Sequence, residues 1–183
     1  MAIFRATSYT RKQAAARASI KYIENRPGKD NAKTRRTLFS AEGQLTRLDA
    51  YSMMEKSAKG SVFFRFVLSP DSQKEDTNRD LYLREATESA IQTLSMRINT
   101  PISYVAAIHD DHTDKRHVHI IASVKGRLSI PDFQAAQETA TRICLEQRTE
   151  RDRVAEQQKN KEPRQTRQEQ GKEEAWEREL ERD

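Results

Sequence analysis

The sequence predicts an α+β domain in which helices pack on a largely antiparallel central sheet of about five strands, followed by a charged C-terminal helix. Over residues 1–145, segments rich in β-branched and aromatic residues alternate with helical apolar patterns. Two of the β segments follow each other with only a short polar turn between them, as in a hairpin. After residue 145, apolar residues nearly vanish among charged residues and glutamines. We therefore expect a domain over 1–145 and a charged helical tail or linker, partly disordered, over 146–183.

The first half of the domain predicts three strands and two helices. "AIFRATS" (2–8) is typical of a short strand, and residues 10–24 predict a helix with Ala15, Ala18 and Tyr22 on one face. "TRRTLFS" (34–40) predicts the second strand. "GQLTRLDAYSMMEKSAKG" (43–60) favours a helix whose apolar stripe is Leu45, Leu48, Ser52 and Met53. "SVFFRFVLS" (61–69) predicts the third strand, which ends at Pro70.

The second half predicts a helix, a hairpin and a final helix. Residues 76–99 predict a helix that turns Leu83, Ala86, Ala90, Leu94 and Ile98 toward the core. "ISYVAAIH" (102–109) and "HVHIIASV" (117–124) predict two strands joined by the polar turn 110–116. The last helix begins at Pro131, and its apolar positions are Phe133, Ala136, Ala140, Ile143 and Cys144. Beyond Leu145 we expect it to fray into a solvated tail.

The composition of the chain excludes several classes of protein. One cysteine among 183 residues excludes an internal disulfide and a cysteine-based zinc site, which fits a reducing compartment. No segment approaches the ~20 apolar residues of a membrane span, and the N-terminus lacks the apolar region of a signal peptide. We therefore expect a soluble cytoplasmic protein.

The positive charge of the chain lies in its first third. Residues 1–70 contain 14 Lys and Arg against 5 Asp and Glu, a net of +9, whereas residues 71–145 and 146–183 each come to −2. This distribution favours a polyanion-binding face in the first third, although a solvated surface without a partner would have the same composition.

All four histidines of the chain lie in "VAAIHDDHTDKRHVHIIASV", residues 105–124. A hairpin register in which paired residue numbers sum to 226 sets His109 opposite His117, and His119 then lies on the same face. A register with an odd sum would send His109 to the other face. Both strands contain nearly continuous apolar runs beside the histidines, which is typical of strands covered on both faces. Imidazoles buried among such residues need partners. We therefore predict a metal site and treat His112, in the turn, as a bystander.

Several reactions are open to such a site. Three neutral imidazoles suit zinc and hydrolysis. The basic first third favours phosphate chemistry instead, in which a divalent ion polarises a phosphodiester and the protein supplies a nucleophile. The sequence contains no glycine-rich phosphate loop, Cys-His pair or serine-based motif, so tyrosine is the nucleophile type that remains.

The histidine spacing resembles a family motif. His109, followed after seven residues by His117-Val118-His119, is similar to the third motif of the relaxases, the DNA nickases of conjugation and plasmid mobilisation in the HUH endonuclease superfamily. Tyr22 in "ARASIKYIENRPGK" resembles their first motif, and Ser69 at the end of "VFFRFVLSP" their second. The resemblance covers residues 1–145. Ser123 departs from it, because relaxases of this type often carry an asparagine there.

The resemblance implies site- and strand-specific nicking and rejoining of single-stranded DNA at an origin of transfer. It makes His109, His117 and His119 ligands of Mg²⁺ or Mn²⁺, with Zn²⁺ as a substitute in vitro. It makes Tyr22 the nucleophile of a 5′-phosphotyrosine intermediate, and gives Asp111 the role of orienting a histidine or helping to take the tyrosine proton. The partners implied are origin DNA, an accessory DNA-binding protein and the coupling protein of a transfer system.

The expected DNA contacts are Ser69 near the nick and the basic residues around the tyrosine helix. These basic residues are Arg11, Lys12, Arg17 and Lys21 on the helix, and Lys33, Arg35 and Arg36 in "KTRR".

Alternatives remain open from the sequence. Tyr22 continues a helical apolar stripe and could be a core residue, in which case Tyr9 is the first rival nucleophile and Tyr51 the second. A rolling-circle replication initiator of the same superfamily usually places its tyrosine after the histidines, and no tyrosine follows His119 here. A non-catalytic DNA-binding protein with a degenerate metal site is the third alternative.

Overall fold

A computed structural model describes residues 1–27, 34–110 and 115–180, with side chains up to residue 159. The chain divides into two compact units, and the boundary lies between Glu146 and Gln147. The first unit contains the sheet and is the unit that positions the histidines.

The first unit is built on a six-stranded antiparallel sheet, which confirms the α+β class. The strands are β1 (Ile3–Thr10), β2 (Leu38–Ser40), β3 (Gly43–Leu45), β4 (Val62–Ser69), β5 (Ser103–His109) and β6 (His117–Val124). Their order across the sheet is β1-β4-β6-β5-β2-β3, so the two histidine-bearing strands occupy its centre.

The helices of the described residues are α1 (Gln13–Asn25), α2 (Arg47–Glu55), α3 (Leu83–Arg97) and α4 (Ile130–Leu180). Their order along the chain agrees with the sequence prediction, but several of their boundaries and two of their buried faces differ.

The predicted helix over 43–60 is wrong at its start, because residues 43–45 form the extra strand β3. The hydroxyl of Thr46 accepts from the backbone N–H of Asp49, and the Asp49 carboxylate accepts from the N–H of Thr46, a capping box that begins α2 at Arg47. The predicted stripe is right only in part: Leu45 and Met53 pack against the core, but Leu48 is 77% exposed. The buried side chains of α2 are Ala50 and Met54.

The helix predicted from residue 76 begins only at Leu83. The carboxylate of Asp76 accepts from the backbone N–H of Leu81 and pairs with Arg116, which holds the preceding residues in turns. From Leu83 onward the predicted core positions of α3 are buried, and only Ile98, which follows the helix, is partly exposed.

Apolar cores lie on both faces of the sheet. One face packs α1 and α2 against β5 and β6, and its residues are Ala16, Ile20, Ile23, Leu38, Ala50, Met54, Phe63, Val105, Ala107 and Ile121. The other face packs α3 and the first turns of α4, with Leu83, Ala86, Ala90, Leu94, Ala136, Ala140 and Cys144 among its members. The central strands are therefore covered on both sides, as their continuous apolar runs predict.

The buried face of α1 differs from the predicted stripe. Ala16, Ile20 and Ile23 point into the core, whereas Ala18 is exposed and Tyr22 is 50% exposed. The bulky isoleucines bury more apolar area than alanines, so they determine which side of the helix faces the sheet.

Helix α4 extends to Leu180 and so includes the charged segment after Leu145. Ion pairs one turn apart, such as Arg142–Glu146 and Arg148–Asp152, stabilise a helix that carries few apolar residues. Among the described residues, no helix combines the length and the apolarity needed to cross a membrane.

Candidate metal centre

The hairpin of β5 and β6 brings three histidines to one face of the sheet. His109 pairs with His117, the register whose numbers sum to 226, and His119 pairs with Ala107 on β5 and with Val67 on β4. Because side chains alternate along a strand, all three imidazoles lie on the α1 side. Their ring centroids are 4.6–5.4 Å apart, and one nitrogen from each ring lies within 4.8 Å of the other two.

His109 is held by the end of α1. Its side chain is fully buried, and its Nε2–H donates to the carbonyl oxygen of Ile23 at 2.9 Å. The bond leaves the lone pair on Nδ1, and this buried nitrogen has no hydrogen-bond partner among the described residues. Burial lowers the pKa of His109 to about 3, with a smaller contribution from His119, so the ring is neutral at physiological pH.

His119 has the same properties. In the part of the chain that the structure describes, its buried Nε2 also has no hydrogen-bond partner. Burial, followed by the charge of His117, lowers the pKa of His119 to about 4. His117, half-buried at the start of β6, donates from Nδ1 to the carbonyl oxygen of Lys115 at 3.1 Å, which leaves the lone pair on Nε2.

The donor set fits a metal ion. A buried nitrogen without a partner is costly, and two of them point to a cation that accepts their lone pairs. The hydrogen bonds of His109 and His117 to backbone carbonyl oxygens orient the rings, as is usual for metal-ligating histidines. Three imidazoles leave further coordination positions for water or substrate.

A buried carboxylate fixes the end of α1 beside His109. Glu24 is 2% exposed, and its carboxylate accepts from Arg35 at 2.9 Å and from Arg47, while its backbone carbonyl accepts from the N–H of Arg36 at 2.9 Å. The two arginines lower the pKa of Glu24 against the opposing effect of burial. Glu24 therefore ties the turn that carries Ile23 to the residues before β2 and to α2. Sequence analysis missed it, although it is the first acidic residue in a basic segment.

Tyr22 lies on the outward side of the same turn. It precedes Ile23, the residue that accepts from His109, and the guanidinium carbon of Arg26 lies 5.9 Å from the centroid of its ring. The rivals lie elsewhere. Tyr9 is 72% exposed and pairs with Phe64, on the opposite face of the sheet from the histidines. Tyr51 is half-buried on α2, with Arg17 over its ring.

The predicted basic contacts fall into two groups. Arg11, Lys12 and Lys21 are exposed. Three others have protein partners: Arg17 pairs with Glu55, Arg35 pairs with Glu24, and Arg36 donates from Nη1 to the carbonyl oxygen of Arg26 at 2.7 Å. Arg36 is only 8% exposed, so its position is not that of a surface loop.

Ser69 ends β4 beside the cluster. Its hydroxyl donates to the carbonyl oxygen of Arg116 at 3.4 Å, next to His117. Lys33, Asp111 and His112 lie outside the described residues.

Comparisons of the chain with known protein families, with curated proteins and with solved structures return no match.

Proposed function

We propose that this protein nicks and rejoins single-stranded DNA at an origin of transfer, with Tyr22 as the nucleophile and a divalent metal ion on His109, His117 and His119. The observation that carries the proposal is that His109 and His119 each have a buried ring nitrogen with no hydrogen-bond partner among the described residues. His109 is bonded to the end of α1, the helix that presents Tyr22. A tyrosine and an open metal site on one side of a sheet suit transesterification of a phosphodiester.

The reaction divides between the metal and the chain. A bound Mg²⁺ or Mn²⁺ supplies Lewis acidity toward a phosphate oxygen. The phenolic oxygen of Tyr22 forms a bond to phosphorus as the bond from phosphorus to the 3′-oxygen breaks. The phenolic proton passes to a base, for which Asp111 remains the proposed residue, and the leaving 3′-oxygen takes up a proton. The product is a 5′-phosphotyrosine linkage with a free 3′-hydroxyl, which can reverse the reaction and reclose the strand.

The position of Tyr22 supports its choice over the other tyrosines. Its ring is accessible and lies one residue from the carbonyl that orients His109. Tyr9 pairs five residues away from Ser69 along β4, a separation of about 17 Å at the rise of a strand, and on the other face. Tyr51 packs against the core and serves as a platform for Arg17.

A suicide-substrate assay tests the proposal. The protein is incubated with single-stranded oligonucleotides from the DNA that flanks its gene, with Mn²⁺ or with EDTA, and covalent adducts are resolved on a denaturing gel. We expect an adduct that requires Mn²⁺ and is absent in Tyr22→Phe, whereas the matched variant Tyr9→Phe retains it. An adduct that persists in Tyr22→Phe and disappears in Tyr9→Phe would reassign the nucleophile.

Zinc-dependent hydrolysis is the second candidate, because three neutral imidazoles are a donor set that zinc favours. It predicts tight binding of Zn²⁺ and cleaved products without a covalent adduct. Metal binding with neither adduct nor cleavage would instead indicate a DNA-binding protein whose metal site has lost its activity.

A further inference from the structure

The face of the sheet that carries His109, His117 and His119, here called the histidine face, also has arginines around it that the spacing of the histidines does not explain. Arg26 follows α1, Arg36 precedes β2 and Arg65 lies on β4, so three separate elements contribute guanidinium groups. Arg26 caps the helix whose Ile23 carbonyl accepts from His109, and Arg36 donates to the carbonyl oxygen of Arg26. Arg65 lies beside His119 across the pairing of β4 with β6. Positive charge therefore converges on the place where the histidines would add a metal cation.

Arg65 reaches this place from the sheet. It pairs with Ile121 on β6, so His119 is its diagonal neighbour on the same face, about 7–8 Å away between backbones and within reach of a long side chain. Its Nε–H donates to the hydroxyl of Ser19 at 2.8 Å, and Ser19 is itself buried and donates to the carbonyl of Ala15 at 2.7 Å. Helix α1 thus holds the guanidinium in one orientation.

Arg26 caps the end of α1. Its guanidinium lies over the Tyr22 ring, and its backbone is held twice: its N–H donates to the carbonyl of Tyr22 at 2.8 Å, and its own carbonyl accepts from Arg36. The buried Arg36 therefore sets the position of the more accessible Arg26. This arrangement keeps the Arg26 guanidinium beside the Tyr22 ring, at the end of the helix whose Ile23 carbonyl orients His109.

We propose that Arg26 and Arg65, with Arg36 behind Arg26, form an anion site beside His119 that binds a phosphate group from both sides. The inference rests on the proposed function, because the phosphate it would hold is that of the DNA strand attacked by Tyr22. Guanidinium groups bind phosphate oxygens with paired N–H groups, and two of them on separate elements define the orientation of the phosphate. An anion would also balance the positive charge that the three arginines share with a bound metal ion.

Titration with inorganic phosphate tests the site without DNA and without metal. Phosphate is added to the whole protein in EDTA at constant ionic strength, and the amide resonances of Arg26 and of β6 near His119 are followed by NMR. We expect saturable shifts with phosphate and none with chloride. Arg65→Gln and Arg26→Gln should each weaken phosphate binding about tenfold, since each removes charge-assisted hydrogen bonds, while Arg65→Lys should weaken it less.

Arg127→Gln is the matched control, because Arg127 is exposed and follows β6 at the end of the strand away from the histidines. It makes the same change in net charge, and we expect phosphate affinity within about twofold of the wild type. Unchanged amide spectra outside the site show that each variant is folded.

The anion site is overturned if the wild-type protein shows no saturable shift, or if Arg65→Gln and Arg26→Gln bind phosphate as the wild type does. Neither result depends on nicking. If phosphate binds as expected but no DNA adduct forms, the proposed nickase fails and the anion site stands; if the adduct forms but the two variants bind phosphate normally, only the anion site fails.

Discussion

The two most buried imidazoles, His109 and His119, determine what the candidate site can do. Both are neutral at physiological pH because burial disfavours their charged form, with pKa values of about 3 and about 4. A neutral imidazole offers a lone pair, so these rings can accept a metal ion without first losing a proton. The backbone carbonyl of Ile23 selects which nitrogen of His109 carries that lone pair.

Acid should destabilise the metal-free protein in a window set by these histidines. Their pKa values are lower in the folded state than the 6.5 of an unfolded chain, so the unfolded state binds more protons as the pH falls. Their contribution to stability is complete above pH 6.5 and is lost as the pH falls toward about 4 and then about 3. At pH 5 we expect a loss of about 2 kcal/mol for each histidine.

Urea unfolding in EDTA at pH 7 and at pH 5 measures this loss. Carboxylates with lowered pKa values, such as Asp132 at about 2, act only below their ordinary value of 3.8, which keeps them out of this window. In His119→Gln the difference between the two pH values should shrink by about half. Equal unfolding free energies at pH 7 and pH 5 in the wild type would contradict neutral, buried histidines.

Metal affinity should depend on the three histidines and not on the fourth. Since His119→Gln removes one of three imidazole ligands, we expect it to weaken Mn²⁺ binding more than the ~100-fold typical of losing a supporting hydrogen bond. His112→Gln changes the same residue type in the same hairpin and should bind Mn²⁺ like the wild type. Isothermal titration calorimetry on both variants makes the comparison, and similar losses in the two would refute the assignment of ligands.

At the scale of elements, helix α1 joins the core to the candidate site. Its inner face packs Ala16, Ile20 and Ile23 against the sheet, and its last turn presents Tyr22 outward. The buried carboxylate of Glu24 in that turn is bound by Arg35 and Arg47, so a movement of the helix end would leave a buried charge without its partners. Packing at one end and ion pairing at the other place the phenol and the orienting carbonyl together.

Substitutions on the two faces of α1 should therefore separate stability from activity. Ile20 is fully buried, so Ile20→Ala should lower the unfolding free energy by about 2–4 kcal/mol through lost contacts and a cavity. Tyr22→Ala, on the half-exposed face, should cost under about 1 kcal/mol while abolishing the covalent adduct. Denaturant unfolding of both variants measures these changes. A large loss of unfolding free energy in Tyr22→Ala would indicate that Tyr22 is a core residue.

The boundaries of the elements show where the sequence was insufficient. The apolar pattern of residues 43–60 predicts one helix, but the capping box of Thr46 and Asp49 starts α2 late and leaves Gly43–Leu45 to pair with β2. A three-residue strand buries too little to have a pattern of its own, so only its neighbour in the sheet makes it a strand. The late start of α3 has the same kind of cause, because Asp76 pairs with the distant Arg116.

At the scale of the whole molecule, the sheet brings parts of the positive first third of the chain to the histidine face. Helix α1 lies on that face, and the order β1-β4-β6-β5 puts Arg65 of β4 directly beside the histidine strand β6. Residues 1–70 carry a net charge of +9, a sign that favours an anionic partner.

Binding of single-stranded DNA should accordingly weaken steeply with salt. If about five phosphates are neutralised, the affinity should fall about 100-fold between 50 and 200 mM salt. Fluorescence anisotropy with a labelled oligonucleotide in EDTA measures the dependence. The variants Lys21→Gln and Arg127→Gln compare the α1 side with the opposite end of β6, and only the first should reduce the salt slope. A flat dependence would exclude an electrostatic DNA face.

The sequence by itself determined the α+β class, the central hairpin and the three histidines. These features depend on local periodicity and on pairing between strands joined by a short turn. Both can be inferred directly from the spacing of residues along the chain. His109, His117 and His119 could be placed together because alternation along two paired strands puts all three on one face in a register with an even sum, which the structure has.

Only the tertiary structure decided which side of α1 is buried, and with it the exposure of Tyr22. It also decided that Glu24 anchors the end of that helix through its ion pairs. In the same way, only the tertiary structure shows that Arg36 is buried and that Arg65 lies on the histidine face. These contacts join residues far apart in the chain, and their energies depend on burial and on partners that the spacing of residues along one element does not record.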